Sequence, residues 1–153
     1  MSQFFQFESD FVASLRCIPM QVRFHLDTCG IKLKLHQWNH LTPEQRENLV
    51  ELPCSTFEEI QAYRELLQQW VLEVTGEVVA DLPVEAHPAW IDATAIPNSV
   101  GDKAKEVGVP LNLKQWSALP PIQRFALIKL SCSNHENRNF VPALQEFKLM
   151  HID

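Results

Sequence analysis

Apolar side chains along this 153-residue chain recur at helical rather than strand spacing. Phe57, Ile60, Leu67, Trp70, Val71 and Val74 fall mostly three, four or seven positions apart, the period that lines one helix face, and Gly76 ends the run. The pattern predicts a long helix opening at Ser55 or Thr56, with Glu58 and Glu59 at its positive end. Upstream, Thr42-Pro43-Glu44-Gln45 combines an N-cap hydroxyl, a proline at the first helical position and a glutamine three residues on. That capping-box pattern starts a second helix, which Pro53 bounds. A third, shorter helix reads from Ile18-Pro19 to Gly30, a residue free to take the positive φ of a helix C-terminus. The segment "EVVADLPVEAHPAWIDAT" breaks this periodicity: Pro83 and Pro88 make it an irregular connector in which Val78 and Val79 supply at most a short strand.

The same signals return 78 positions later. "GIKLKLHQW" from Gly30 reappears as "GVPLNLKQW" from Gly108, and sixteen identities fall across the 38 positions from 18 to 55 without a gap. Two copies of this length are too few for a solenoid and read as a duplicated unit. The expected architecture is mainly α: one compact domain of about six helices, built from two internally duplicated helical units with approximate two-fold symmetry. Its parts are an N-terminal arm over 1–15, a first copy over 16–76, a connector over 77–93 and a second copy over 94–153. The C-terminal helix "NFVPALQEFKLM" should be broken or bent at Pro142.

Matched Leu and Trp positions in the two copies are what helix packing requires. Gln45-Arg46 and Gln123-Arg124 are polar pairs kept at the same offset, and a guanidinium stacked on the nearby indole or bonded to helix-terminal carbonyls would explain them. One face diverges. Glu44, Glu47 and Glu51 form a charged stripe whose counterparts are Ile122, Phe125 and Lys129. That greasier face needs a cover, from the connector around Trp90, from the phenylalanines at 4, 5, 7 and 11, or from another protein.

Composition narrows the function. A formal charge of −6, with 13 Lys and Arg scattered along the chain, offers no stripe for a nucleic-acid backbone. No apolar run approaches the length of a membrane span and the N-terminus lacks a basic signal region, so the chain is expected to be cytoplasmic. Cys17, Cys29, Cys54 and Cys132 form no CxxC pair. A metal site from His36 and His40 with Cys29 and Cys54 is conceivable, but the second copy replaces Cys29, His36 and His40 with Val107, Lys114 and Ala118. The sequence holds no GxSxG, HExxH or glycine-rich phosphate loop. No catalytic residue, cofactor or metal is therefore expected, and nothing in the chain requires an enzyme.

The run "FQFESDFVASLRCIPMQVRFHLDTCGIKLKLHQW", followed by "LPCSTFEEIQAYRELL", resembles the nitrate reductase-associated protein family of cyanobacteria over nearly the whole chain. "LRCIPMQVRFHLDTCGIKL", which joins Cys17, Pro19, Arg23, Asp27 and Gly30, is its most specific part. The resemblance implies a non-enzymatic accessory or maturation factor for nitrate reductase, a molybdenum and iron-sulfur enzyme, acting by direct contact with the reductase or its apo form. Candidate partner-binding residues are Ile122 and Phe125, then Arg16, Cys17, Met20 and Arg23. The alternative is a small metal- or thiol-dependent enzyme or carrier in molybdenum cofactor handling, with Cys17 as its thiol. Self-association through the paired copies is left open.

Overall fold

The computed structural model describes residues 5–8, 17–132 and 139–150. The chain divides into two compact units, Met1–Val84 and Glu85–Asp153. After a 3₁₀ turn at Gln6–Glu8, unit one contains α1 (Met20–Cys29), β1 (Ile31–Lys32), α2 (Leu35–His40), α3 (Pro43–Glu51), α4 (Phe57–Thr75) and β2 (Ala80–Asp81). Unit two contains α5 (Asn98–Glu106), α6 (Leu113–Ala118), α7 (Pro121–Cys132) and α8 (Phe140–Glu146).

Unit one is organised around α4. Its face of Tyr63, Leu67 and Val71 is buried with Val22 and Leu26 of α1, Trp38 of α2 and Leu49 of α3 in one apolar core. Thr56 caps α4 by accepting from the Glu59 amide, and the Glu59 carboxylate accepts in return from the Thr56 amide. The Thr42–Gln45 pair closes the same reciprocal box on α3. Each box supplies partners for amides that a helix start otherwise leaves open. Pro19 cannot offer such a side chain to α1. Glu8 does so from twelve residues upstream: its buried carboxylate accepts from the amides of Met20, at 3.1 Å, and Phe5, at 3.3 Å. At the other end of α1, Gly30 takes φ +79°, and a Cβ there would stand 2.8 Å from Val84 Cγ2 and 3.0 Å from the Leu82 carbonyl oxygen. The left-handed turn sends the chain into β1, which pairs antiparallel with β2 in the register Ile31↔Asp81 and Lys32↔Ala80. The strand predicted around Val78 and Val79 thus starts one residue later, and Val79 is buried in the core instead.

In unit two, α7 supplies the buried row Phe125, Ala126, Leu127 and Leu130, with Val100 and Ala104 of α5, Trp116 of α6 and Phe140, Ala143 and Leu144 of α8 also buried. Pro142 does not break α8. It occupies the third helical position, where its missing N–H has no intrahelical acceptor to lose.

The described residues hold eight α-helices where the pattern predicts about six. The additional pair, α2 and α6, are six residues long, too short to display a helical period. They are related by the 78-residue offset end to end, and α3 and α7 begin at matched prolines. Gly108 repeats the left-handed turn of Gly30 at φ +80°. Trp38 and Trp116, Leu41 and Leu119, and Leu49 and Leu127 are buried at both places.

Candidate functional site

The residues that the sequence offers for partner binding lie at two separate places. Arg16 falls outside the described residues. Cys17 is half-buried and Met20 is buried at the start of α1, while Arg23 turns its Nε back to the Ile18 carbonyl at 3.2 Å. On α7, Ile122 is half-buried and Phe125 is fully buried. The indole of Trp90 stands edge-on to the Phe125 ring, with centroids 5.1 Å apart and planes at 88°, and Lys129 Nζ lies 5.2 Å from the ring centre. Among the covers the sequence allows for this face, the connector's Trp90 lies against Phe125, while Phe4 and Phe11 fall outside the described residues. A partner reaching Phe125 or Met20 would have to open the packing of the unit that holds it.

Two arginines fix the turns around these helices. Arg124 is buried, donating from Nε to the Trp90 carbonyl at 2.6 Å and from Nη1 to the Leu119 carbonyl at 2.7 Å, with Trp116 O at 3.5 Å. The guanidinium thus closes the C-terminal end of α6 and ties the connector to α7. Trp116 Nε1 adds a bond to the Asp92 carbonyl at 3.0 Å. Of the two explanations the sequence gives for the paired arginines, helix-terminal carbonyls are the partners of Arg124. Unit one answers with Arg64, which no pattern singles out. From the middle of α4, its Nη1 donates to the carbonyls of Cys29 and Gly30, at 3.0 and 2.9 Å, and its Nη2 to Asp81. The only sequence signal for it is a cation alone in the otherwise acidic face of a long amphipathic helix.

Behind this staple lies a buried polar group. The His25 ring stands edge-on to Tyr63 at 4.9 Å, with Gln21 Nε2 2.9 Å from its Nε2, and the Tyr63 hydroxyl donates to the Leu49 carbonyl at 2.7 Å. Burial holds the imidazole below its usual pKa, although the nearby Leu49 carbonyl opposes the shift. Burial likewise pushes the thiols of Cys29 and Cys54 up, to about 11 and about 12. Both are therefore held as neutral thiols near neutrality rather than as thiolates. His36 and His40 sit exposed on α2, with His36 Nε2 2.8 Å from Glu77 Oε1 and His40 Nδ1 2.6 Å from the His36 carbonyl. Among the described residues no three His, Cys, Asp or Glu side chains gather into a metal-holding group.

The corner between α3 and α4 is open. Leu52, Pro53, Glu59, Ala62, Tyr63 and Leu66 line a cleft of about 130 Å³. Phe57, at the first position of α4, leaves 73% of its surface in solvent. Glu51, Glu58 and Glu65 are exposed, and among the described residues none of them has an ion pair.

A family model described as conserved nitrate reductase-associated protein matches residues 4–147. The chain belongs to that family. No match was found among curated proteins or among solved structures. The nitrate reductase-associated span takes in parts of both units, both arginine staples, the open corner and each predicted partner-binding residue. Among its described residues no helix is long and apolar enough to cross a membrane.

Proposed function

We propose that this chain is a non-enzymatic accessory factor that supports nitrate reductase by binding the reductase or its apo form in the cytoplasm. The observation that carries the reading is the match to the nitrate reductase-associated family over residues 4–147. The architecture is compatible with it: the arginines, the paired capping boxes and the buried histidine all bond within their own units, serving to hold shape. A protein of this kind acts by presenting a rigid surface, in which a few anchors carry most of the binding. The shared 78-residue offset, with α2 matched to α6 and Gly30 to Gly108, further supports descent of the two units from one duplicated helical unit.

The test is quantitative co-isolation of the tagged full chain from cells grown on nitrate. Nitrate reductase is expected to come with it, enriched in the form lacking its cofactors, as a maturation factor requires. Recovery of neither the apo nor the loaded reductase above an untagged control would sink direct binding.

A further inference from the structure

We propose that the α3–α4 corner of unit one docks a basic segment of nitrate reductase, seating one apolar side chain in the cleft and flanking Lys or Arg residues on Glu51, Glu58 and Glu65. This rests on the reading that the chain binds the reductase, and it names the surface and the chemistry of the contact.

The first argument is size and lining. The walls are apolar apart from Glu59, whose carboxylate is already committed to the amides of Ser55 and Thr56 at 3.1 and 2.9 Å. The volume, about 130 Å³, is close to the ~150 Å³ cavity that takes a benzene ring, and well below the ~300 Å³ at which small-molecule pockets begin. It suits one Leu, Ile, Met or Phe side chain.

The second argument is charge. Glu58 and Glu65 stand four residues before and three after Ala62 on α4, so both flank that side of the cleft, and Glu51, the last residue of α3, immediately precedes Leu52 of the lining. The imbalance is not spread over the chain. Unit one has twelve Asp and Glu against six Lys and Arg, and unit two has seven of each, so the whole formal charge of −6 belongs to unit one. An apolar notch flanked by unpaired carboxylates repels nucleic acid, anionic lipid and acidic protein alike. It also opposes the pairing of two such corners from two copies of this chain. A cationic peptide with an apolar anchor satisfies both properties: the anchor excludes water from the cleft, and the flanking charges meet at a solvated rim where they speed encounter and select the partner.

The experiment measures the affinity of the full chain for purified apo nitrate reductase at low and high salt. The proteins are wild type, E51K/E65K, Ala62→Phe to fill the cleft, and Asp102→Lys as a control in unit two. Each variant is first checked for unchanged helicity and Tm; the two exposed glutamates should pass whatever Ala62→Phe does. E51K/E65K is expected to bind about tenfold more weakly at low salt and to lose most of the salt dependence, as removal of rim charge pairs does. Ala62→Phe should weaken binding at both salts, and Asp102→Lys should match wild type. If wild type binds and both corner variants bind equally well, the corner is not the site, while the accessory reading stands. A wild-type chain with no affinity overturns both. A concentration-dependent dimer abolished by Ala62→Phe would assign the corner to a second copy and overturn the proposal as well.

Discussion

Glu47 and Phe125 occupy the same position of two matched helices, 78 residues apart, and live in opposite surroundings. On α3, Glu44, Glu47 and Glu51 face solvent. On α7 the same stripe reads Ile122, Phe125 and Lys129, with Trp90 against the phenylalanine and the lysine ammonium over its ring. Both helices begin at a proline 78 residues apart, but in unit two the connector lies against this face and Arg124 bonds to the Trp90 carbonyl, whereas in unit one the face is charged and open. Two helices that share an offset and a buried Leu thus differ in whether one face is covered by the chain's own connector or left in solvent.

The sharpest break of this comparison is to truncate both members. Phe125→Ala should cost about 3–5 kcal/mol in a urea melt, the loss of a fully buried ring plus the cavity it leaves. Glu47→Ala should stay within about 0.5 kcal/mol, as exposed substitutions do. Similar costs would mean that the faces are not used differently. The matched glycines come next. Gly30→Ala should cost about 2–3 kcal/mol, since a Cβ there combines positive φ with contact at 2.8 and 3.0 Å against Val84 and the Leu82 carbonyl. Gly108→Ala meets nothing within 4 Å and should cost about 1–2 kcal/mol from the backbone alone.

The smallest effect concerns His25, whose counterpart Lys103 pairs with Glu106 at 3.5 Å. Burial lowers the folded pKa of His25, so the unfolded chain takes up the proton first as pH falls below about 6.5. Its contribution is fully present above that pH. Below it, stability drains by at most about 1.4 kcal/mol per pH unit until the folded ring itself protonates. Melts of wild type and His25→Gln between pH 7 and 5 check this: the variant should lose the slope over the same range, and equal slopes would rule His25 out as its source.

Much of the local structure was legible in the chain because it is local. Thr42 with Gln45, and Thr56 with Glu59, specify their caps within four residues, and Gly30, Gly76 and Gly108 all adopt the positive φ of helix ends. Asn112-x-x-Gln115 carried the same signal for α6, unread because six residues hold too little apolar periodicity to invite a search for a cap. What sequence could not disclose depends on distant partners. Arg64 reaches carbonyls 34 and 35 residues away, Glu8 caps a helix from twelve residues upstream, and Cys54 is buried although its matched Cys132 is exposed. The candidate surface suffered most. Periodicity marks Phe125 as unusually apolar for its stripe, but the Trp90 ring that lies against it comes from the irregular connector, and the cleft beside Ala62 opens at the turn after α3.

The β1–β2 pair also sets a timetable for synthesis. The Leu82 amide bonds to the Gly30 carbonyl at 2.8 Å, Asp81 receives Arg64, and Val79 fills the core, so three closing contacts of unit one come from its last few residues. A ribosome adding roughly 5–20 residues per second must therefore release residue 82 before helices made seconds earlier can be locked. Until then a nascent chain has its long helix but not its clasp. A pause with residue 79 still inside the ribosome would hold unit one in that unclasped state, and one after residue 82 has emerged would let it close before unit two is complete.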